Sequence, residues 1–377
     1  MRQAYHGARL NEASYLFNRK KEDFVDFSSN LNVFWPEISP DTWQSWLREA
    51  SCYPEVELES LQKSMASTYG VDNYHSVIPV AGGIDGIYLA TRVLAEHVSS
   101  AAVLSPSFSD YARALRSTNV AFKEVVLTLE EWQQAGPIIK EKIMPYDLIL
   151  LGNPNNPTGT YMDASTLMGL MQDPQLKNKK WLIDEAFIEF VDDSVEGCGF
   201  LPYLADLPQV MVIRSLTKSW RIPGLRLGFC ATSNTRWLSK MSSLQPPWII
   251  YSVAQCWARD FLNKNQYGKL KESLRNYQEV KKDFVKELEQ LGLLQIFPSA
   301  VNYLLLKILD ESMDAVGLYK KLGEQGILIR PCHSFTGLQT NRFIRVAVRL
   351  PEENQLLIQA LHKSVSHEQE QRLEAHL

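Results

Sequence analysis

Cysteine is scarce in this 377-residue chain, and the few that exist do not pair. Cys52, Cys198, Cys230, Cys256 and Cys332 are odd in number and far apart. That excludes a disulfide framework and predicts reduced thiols in a cytoplasmic protein. A surplus of one charge is missing too: 39 Lys and Arg against 43 Asp and Glu leave a net charge of −4. No basic footprint for nucleic acid follows from such a balance. No apolar run is long enough to cross a bilayer, so no membrane partner is expected. The opening Met1-Arg2-Gln3-Ala4-Tyr5-His6 lacks the apolar stretch of a secretory signal. Neither cysteine nor histidine falls at metal-ligand spacing, and His362 and His367 sit on a polar helical stretch, so no metal is expected. Internal repeats and low-complexity segments are absent.

Hydrophobic residues make up 45% of the chain and charged residues 22%, the proportions of an ordinary globular protein. The length suits two domains or one large α/β domain. Residues 1–45 read as an irregular surface arm, with turn-forming Ser and Asn in Asp26-Phe27-Ser28-Ser29-Asn30-Leu31-Asn32. A helical apolar pattern covers 55–69 and stops at Gly70. Apolar strands then alternate with helices: Val77-Ile78-Pro79-Val80, Ala101-Ala102-Val103-Leu104, Leu148-Ile149-Leu150-Leu151, Trp181-Leu182-Ile183, Val210-Met211-Val212-Ile213 and Leu227-Gly228-Phe229-Cys230-Ala231. Continuous apolar strands of this kind predict a mostly parallel sheet covered on both faces. After Gln245-Pro246-Pro247-Trp248 the pattern changes to a long charged helix over 264–291, ended by Gly292. Strands over 302–308, 327–330 and 343–348 and helices over 313–322 and 352–365 complete a small α/β unit, with a polar, fraying tail after Ser366. The predicted division is an arm (1–45), a large domain (46–260) and a small C-terminal domain (261–377).

The stretch with most chemical content runs from Ser215 to Gly228. Lys218 follows an apolar strand, and Ser215, Thr217 and Arg226 flank it. A lysine held rigidly at a strand end and partly desolvated has a lowered pKa and a nucleophilic amine. The hydroxyls and the guanidinium beside it suit a phosphate. A lysine that forms an imine next to a phosphate site points to pyridoxal 5'-phosphate, PLP. Ala81-Gly82-Gly83-Ile84-Asp85-Gly86 opens a helix and offers free N–H groups at its positive end. Ligands of parallel sheets sit at strand C-termini. Phe108, Asn156, Asp184 and Lys218 each fall just past a strand and can converge on one pocket.

Those parts, in that order, resemble the fold-type I aminotransferases over nearly the whole chain. The resemblance implies a fold-type I PLP-dependent α/β fold with a mixed, mostly parallel sheet in the large domain and a small α/β C-terminal domain. It assigns Lys218 and Asp184 as catalytic, the first as the cofactor's lysine and the second, in Asp184-Glu185-Ala186-Phe187, as the partner of the pyridine nitrogen. Asn156, in Asn155-Asn156-Pro157-Thr158-Gly159, would donate to the ring hydroxyl and Phe108 would stack on the ring. Gly83, Ile84, Ser215, Thr217 and Arg226 would form the phosphate cup. Tyr53 matches a tyrosine that reaches the neighbouring subunit's phosphate in histidinol-phosphate aminotransferases, which implies a homodimer.

Three stretches resemble the L-threonine-O-3-phosphate decarboxylases of cobamide synthesis. They are His6-Gly7 with the 26–32 run, Pro246-Pro247-Trp248, and Ile327-Leu328-Ile329-Arg330 through Arg342-Phe343-Ile344-Arg345-Val346-Ala347-Val348-Arg349. By that likeness Arg345 clamps the substrate carboxylate, and Arg330, His6 and Asn30 meet its phosphate, so the partner is a small phosphorylated amino acid. The alternatives are L-serine O-phosphate decarboxylase, histidinol-phosphate aminotransferase and, outside enzymes, a PLP-binding regulatory domain. The last needs a DNA-binding module, and no basic helical segment for one is visible. The chain departs from the pattern at Ile84, where a hydroxyl is usual, at Phe187, where aminotransferases carry Tyr, and at Tyr251, where Asn is expected.

Overall fold

The computed structural model describes residues 7–134, 136–192 and 198–375. Seven strands form the central sheet, in the spatial order Val77–Val80, Gly228–Ala231, Val210–Ser215, Lys180–Asp184, Leu148–Gly152, Ser100–Ser105, Ala121–Val126. Gly228–Ala231 runs antiparallel to both of its neighbours, and every other pairing is parallel. The mixed, mostly parallel sheet of the sequence reading is therefore present. Successive side chains along a strand point to opposite faces. Ala102, Leu104, Ile149, Leu151, Ile183 and Val212 accordingly join one core cluster, and Ala101, Val103, Leu148, Leu150, Leu182 and Ile213 join another. Burial on both faces is why these strands read as unbroken apolar runs.

Ala121–Val126 was not predicted. It is the edge strand, mostly part-exposed, and carries Lys123 and Glu124, so it shows no apolar run. Helices Thr235–Leu244 and Ser252–Phe261 also lack a sequence prediction. The helix expected over 55–69 starts only at Glu59.

A four-stranded antiparallel sheet, ordered Arg330–Pro331, Phe343–Ala347, Tyr303–Ile308, Leu294–Ile296, lies in the C-terminal third. Helix Lys264–Gln290 buries Leu270, Leu274, Tyr277, Phe284 and Leu288 along one stripe. The last helix runs Pro351–Ala375, past the predicted end at 365. Leu304, Leu306, Ile344 and Val346 belong to the same cluster as Ile183 and Val212, so one continuous core joins the two sheets. No helix among the described residues is long and apolar enough to cross a membrane.

Residues 7–45 are not an irregular surface arm. They contain helix Leu10–Phe17 and the start of helix Pro40–Leu47, and Phe27, Ser28, Asn30 and Asn32 are buried. Val25–Asp26 pairs in parallel with Ile327–Leu328. Phe27 N donates to Leu328 O at 2.8 Å, and Ala347 N to Phe27 O at 2.8 Å. The ring of Phe17 packs onto the bare Cα of Gly323. Asn32 N donates to Lys218 O at 2.9 Å, tying the same segment to the central sheet's site. Backbone pairing with distant strands leaves no local periodicity, so the segment read as loop.

Candidate active site

A cavity of about 230 Å³ opens at the C-terminal ends of the parallel strands, where sheets of this type bind ligands. Its lining includes Phe108, Asn156, Asp184, Lys218, Arg330 and Arg345. The remaining contributors from the sequence reading, Gly83, Ile84, Ser215, Thr217, Arg226 and Asn30, line it as well. Two expectations stand apart. Tyr53 is 85% exposed, packs against Trp248 at 5.0 Å between centroids, and does not line its own chain's cavity. His6 lies outside the described residues, although Gly7 and Ala8 reach the cavity wall.

Lys218 sits on the short helix Leu216–Ser219 that directly follows strand Val210–Ser215. Burial pushes its amine down to about 8, helped by the positive charges of Arg345 and Arg226 and opposed by Asp26. Asp184 ends its strand and is buried. Its Oδ2 accepts from the Tyr111 hydroxyl at 2.8 Å and its Oδ1 from Ala186 N at 3.0 Å. Burial raises its pKa to about 6 against the lowering effect of those two donors.

Helix Gly83–Ala95 points its N-terminus at the cavity. Two glycines allow its approach. A Cβ on Gly82, whose φ is +82°, would stand 2.7 Å from Arg226 Nη2, and one on Gly83 would stand 3.2 Å from Ser215 Cβ. Ser215 Oγ donates to Thr217 Oγ1 at 3.0 Å, which brings two hydroxyls to the same corner. Arg226 itself has φ +49°. Ile84 contributes only apolar wall, as its side chain requires.

Arg345 is 5% exposed. Its Nη1 donates to Asn156 Oδ1 at 2.5 Å and its Nη2 to Ser28 O at 2.8 Å, with the guanidinium 5.1 Å over the Tyr303 ring. Arginine only donates, so the bond fixes the Asn156 amide with its oxygen on Arg345 and leaves its NH₂ as a donor. The buried Nε of Arg345 has no hydrogen-bond partner among the described residues. Arg330 is 4% exposed; its Nη2 donates to Ser334 Oγ at 2.9 Å and its guanidinium lies 4.9 Å over the Phe335 ring. The guanidiniums of Arg226, Arg330 and Arg345 and the amine of Lys218 line the cavity against the carboxylate of Asp184 and leave it positive, suited to a ligand carrying more than one anionic group.

Some lining residues had no assigned role in the sequence. Tyr111 and Phe335 are examples: an aromatic on a helix and one in a loop are usually core, and only the folded contacts distinguish them. Ser28 was part of a noted run, yet the atom that matters is its backbone carbonyl, which any residue supplies. Tyr251, where Asn was expected, donates from its hydroxyl to Gly224 O at 2.7 Å in the turn before Arg226.

Comparison with known proteins places this geometry. Residues 31–361 match the family Aminotransferase class I and II. The threonine-phosphate decarboxylase of Salmonella typhimurium is 29% identical over 360 residues, covering 94% of this chain and 95% of that protein. The L-serine phosphate decarboxylase of Campylobacter jejuni is 26% identical over 313 residues, 80% of this chain. The crystal structure of the histidinol-phosphate aminotransferase from Clostridium acetobutylicum superposes with a TM-score of 0.78 at 26% identity, covering 91% of this chain and 99% of that one.

The residues present fit PLP. The glycine-lined helix N-terminus with Ser215, Thr217 and Arg226 supplies a phosphate cradle that side chains at 82 and 83 would fill. Lys218 supplies an amine that is neutral in a sizeable fraction near pH 8, and Asp184 a buried carboxylate that a pyridinium would keep ionised. The Asn156 NH₂ is free to serve the ring oxygen, and Phe108 borders the same space. This chain belongs to the class I and II aminotransferase family of PLP-dependent enzymes.

Proposed function

We propose that the enzyme decarboxylates L-threonine O-3-phosphate to (R)-1-aminopropan-2-ol O-phosphate, a step of cobamide (cobalamin) biosynthesis. The observation that carries this reading is the pair of buried arginines, Arg330 and Arg345, in one cavity with Lys218, matched to 29% identity with a threonine-phosphate decarboxylase along nearly its full length. A substrate with a carboxylate and a phosphate provides one anion for each guanidinium. Arg345 takes the carboxylate, and Arg330 with Asn30 takes the phosphate. His6 belongs to the phosphate group in this reading.

PLP, when bound, supplies the sink for the electron pair left at Cα as the carboxylate departs. The chain's own residues decide which bond is exposed to it. Arg345 and Arg330 would hold the two ends of the substrate and so set which bond at Cα faces the cofactor when it is bound. Lys218 Nζ, with its lowered pKa, holds and returns the proton that replaces CO₂ at Cα. The buried Asn30 and Ser28 close the wall against water.

In the same reading the active unit is a homodimer in which the exposed Tyr53 serves the partner's cofactor, built from an N-terminal segment (1–45), a large domain (46–260) and a small one (261–377), in the cytoplasm. The deciding experiment incubates the holoenzyme with phosphothreonine, phosphoserine and histidinol phosphate. CO₂ from phosphothreonine in preference supports the reading, and CO₂ mainly from phosphoserine makes it an L-serine O-phosphate decarboxylase. Amino transfer from histidinol phosphate to 2-oxoglutarate without CO₂ release replaces it with the aminotransferase. Bound PLP with no turnover of any of the three leaves the regulatory domain.

A further inference from the structure

Four observations meet at one buried hydroxyl. Tyr111, from helix Ser109–Arg116, is 4% exposed and donates to Asp184 Oδ2 at 2.8 Å. Gly152 is the register partner of Asp184 on the adjacent parallel strand, and a Cβ there would stand 2.9 Å from the Tyr111 hydroxyl. The Tyr111 ring meets Phe108 edge to face, 5.8 Å between centroids at 83°. The second oxygen of Asp184 is held by the backbone N–H of Ala186. One side chain thus touches both the carboxylate expected at the pyridine nitrogen and the aromatic expected on the ring face.

We propose that Tyr111 is a positioning residue: its hydroxyl fixes the Asp184 carboxylate toward the cofactor nitrogen, its ring sets Phe108, and Gly152 is the slot that admits the hydroxyl. An aspartate has two freely rotating oxygens, and a ring nitrogen needs one of them at a set angle. With one donor on each oxygen the carboxylate cannot rotate, while each oxygen keeps a lone pair to give. The donated bond also favours the ionised carboxylate, whose charge would keep the ring nitrogen protonated when the cofactor is bound. The other titratable groups facing Asp184 are Tyr303 from strand Tyr303–Ile308 and Cys230 from strand Gly228–Ala231, with Asp110 beside Tyr111 on its own helix. None of them is its hydrogen-bond donor.

The alternative is a core tyrosine that merely satisfies its own hydroxyl. Tyr111→Phe in the holoenzyme separates the two, because it keeps the ring against Phe108 and removes only the donor. The expected result is a kcat lower by on the order of tenfold with KM within a few-fold, the loss of one hydrogen bond to a charged group. The pH at which the bound cofactor's visible absorbance changes should move, and PLP should dissociate more readily, with the melting temperature of the apoprotein nearly kept. Gly152→Ala should reproduce the spectral change with Tyr111 in place, and adding it to Tyr111→Phe should cost little more. A parent-like spectrum, PLP affinity and kcat in Tyr111→Phe would overturn the proposal. So would strictly additive losses in the double variant.

Discussion

Arg330 and Arg345 are register partners, directly opposite each other on neighbouring antiparallel strands. Like charges so placed repel, and in an ordinary sheet the pair is destabilising. Here each guanidinium is held by oxygen acceptors and an aromatic face: Arg345 by Asn156, Ser28 and Tyr303, Arg330 by Ser334 and Phe335. The sheet therefore presents two fixed cations side by side, a geometry that suits a doubly anionic ligand. Replacing Arg345 by Lys keeps the charge but not the fork. The expected loss is roughly a hundredfold in kcat/KM for phosphothreonine, on the order of 3 kcal/mol. Steady-state kinetics on the PLP-loaded variant measure it, and an unchanged kcat/KM removes Arg345 from the substrate.

Lys218 should govern cofactor loading. Its neutral amine is the reacting form, and its pKa lies near 8. The rate at which apoprotein takes up PLP should rise with pH to a midpoint near 8. Arg345→Gln removes one of the charges that depress it, so the midpoint should move up. Lys218→Ala should abolish turnover and leave no peptide that borohydride can tag with the cofactor.

Asp184 sets a pH-dependent stability in the apoprotein. Burial raises its folded pKa from 3.8 to about 6, so between those values the folded state binds more protons than the unfolded state. Stability therefore falls as pH rises through that window, by about 3 kcal/mol for a shift of this size. Asp184→Asn has no such titration, and its urea midpoint should gain on the parent's between the acid and neutral ends. In the holoenzyme the same variant should keep PLP on Lys218 yet lose most of the rate. Parallel pH-stability curves for parent and variant would show that Asp184 does not titrate there.

Gly82→Ala tests the phosphate cradle. The backbone at +82° disfavours any side chain, and the new Cβ would press on Arg226 Nη2 from 2.7 Å. Displacing that guanidinium should weaken PLP binding at least tenfold. Equilibrium dialysis of the cofactor reads it, and parent-like retention would place Arg226 outside the cup.

Much of this was legible in the chain because parallel, doubly buried strands write themselves as apolar runs. The residues that follow such runs, Phe108, Asn156, Asp184 and Lys218, all reach the cavity. The glycines at 82 and 83 were legible as a turn opening a helix, and at 82 the backbone at +82° and the approach of Arg226 call for glycine. What could not be read were contacts made by the backbone or by ordinary core residues. The arm's hydrogen bonds to Leu328 and Ala347 leave no trace in residue type, and Ser28 acts through its carbonyl. Tyr111 looks like any core tyrosine until the fold places it on Asp184. Ala121–Val126 was lost because this edge strand carries Lys123 and Glu124 at its centre, which breaks the apolar run.

The ladder between Val25–Asp26 and Ile327–Leu328 has a consequence for biosynthesis. A chain leaves the ribosome from its N-terminus, and domains ordinarily fold as they emerge. Here the segment bearing Ser28 and Asn30 has its partners in Leu328 and Ala347, which are made only after every strand of the central sheet. The central sheet can close earlier, since its strands lie between Val77 and Ala231. The stretch around Phe27 must wait, its buried ring still in water, and the cavity gains this wall only after Ala347 is made. So long a loop closure is slow, and chains cut before Ile327 should carry a folded central sheet with the segment around Phe27 open to proteases.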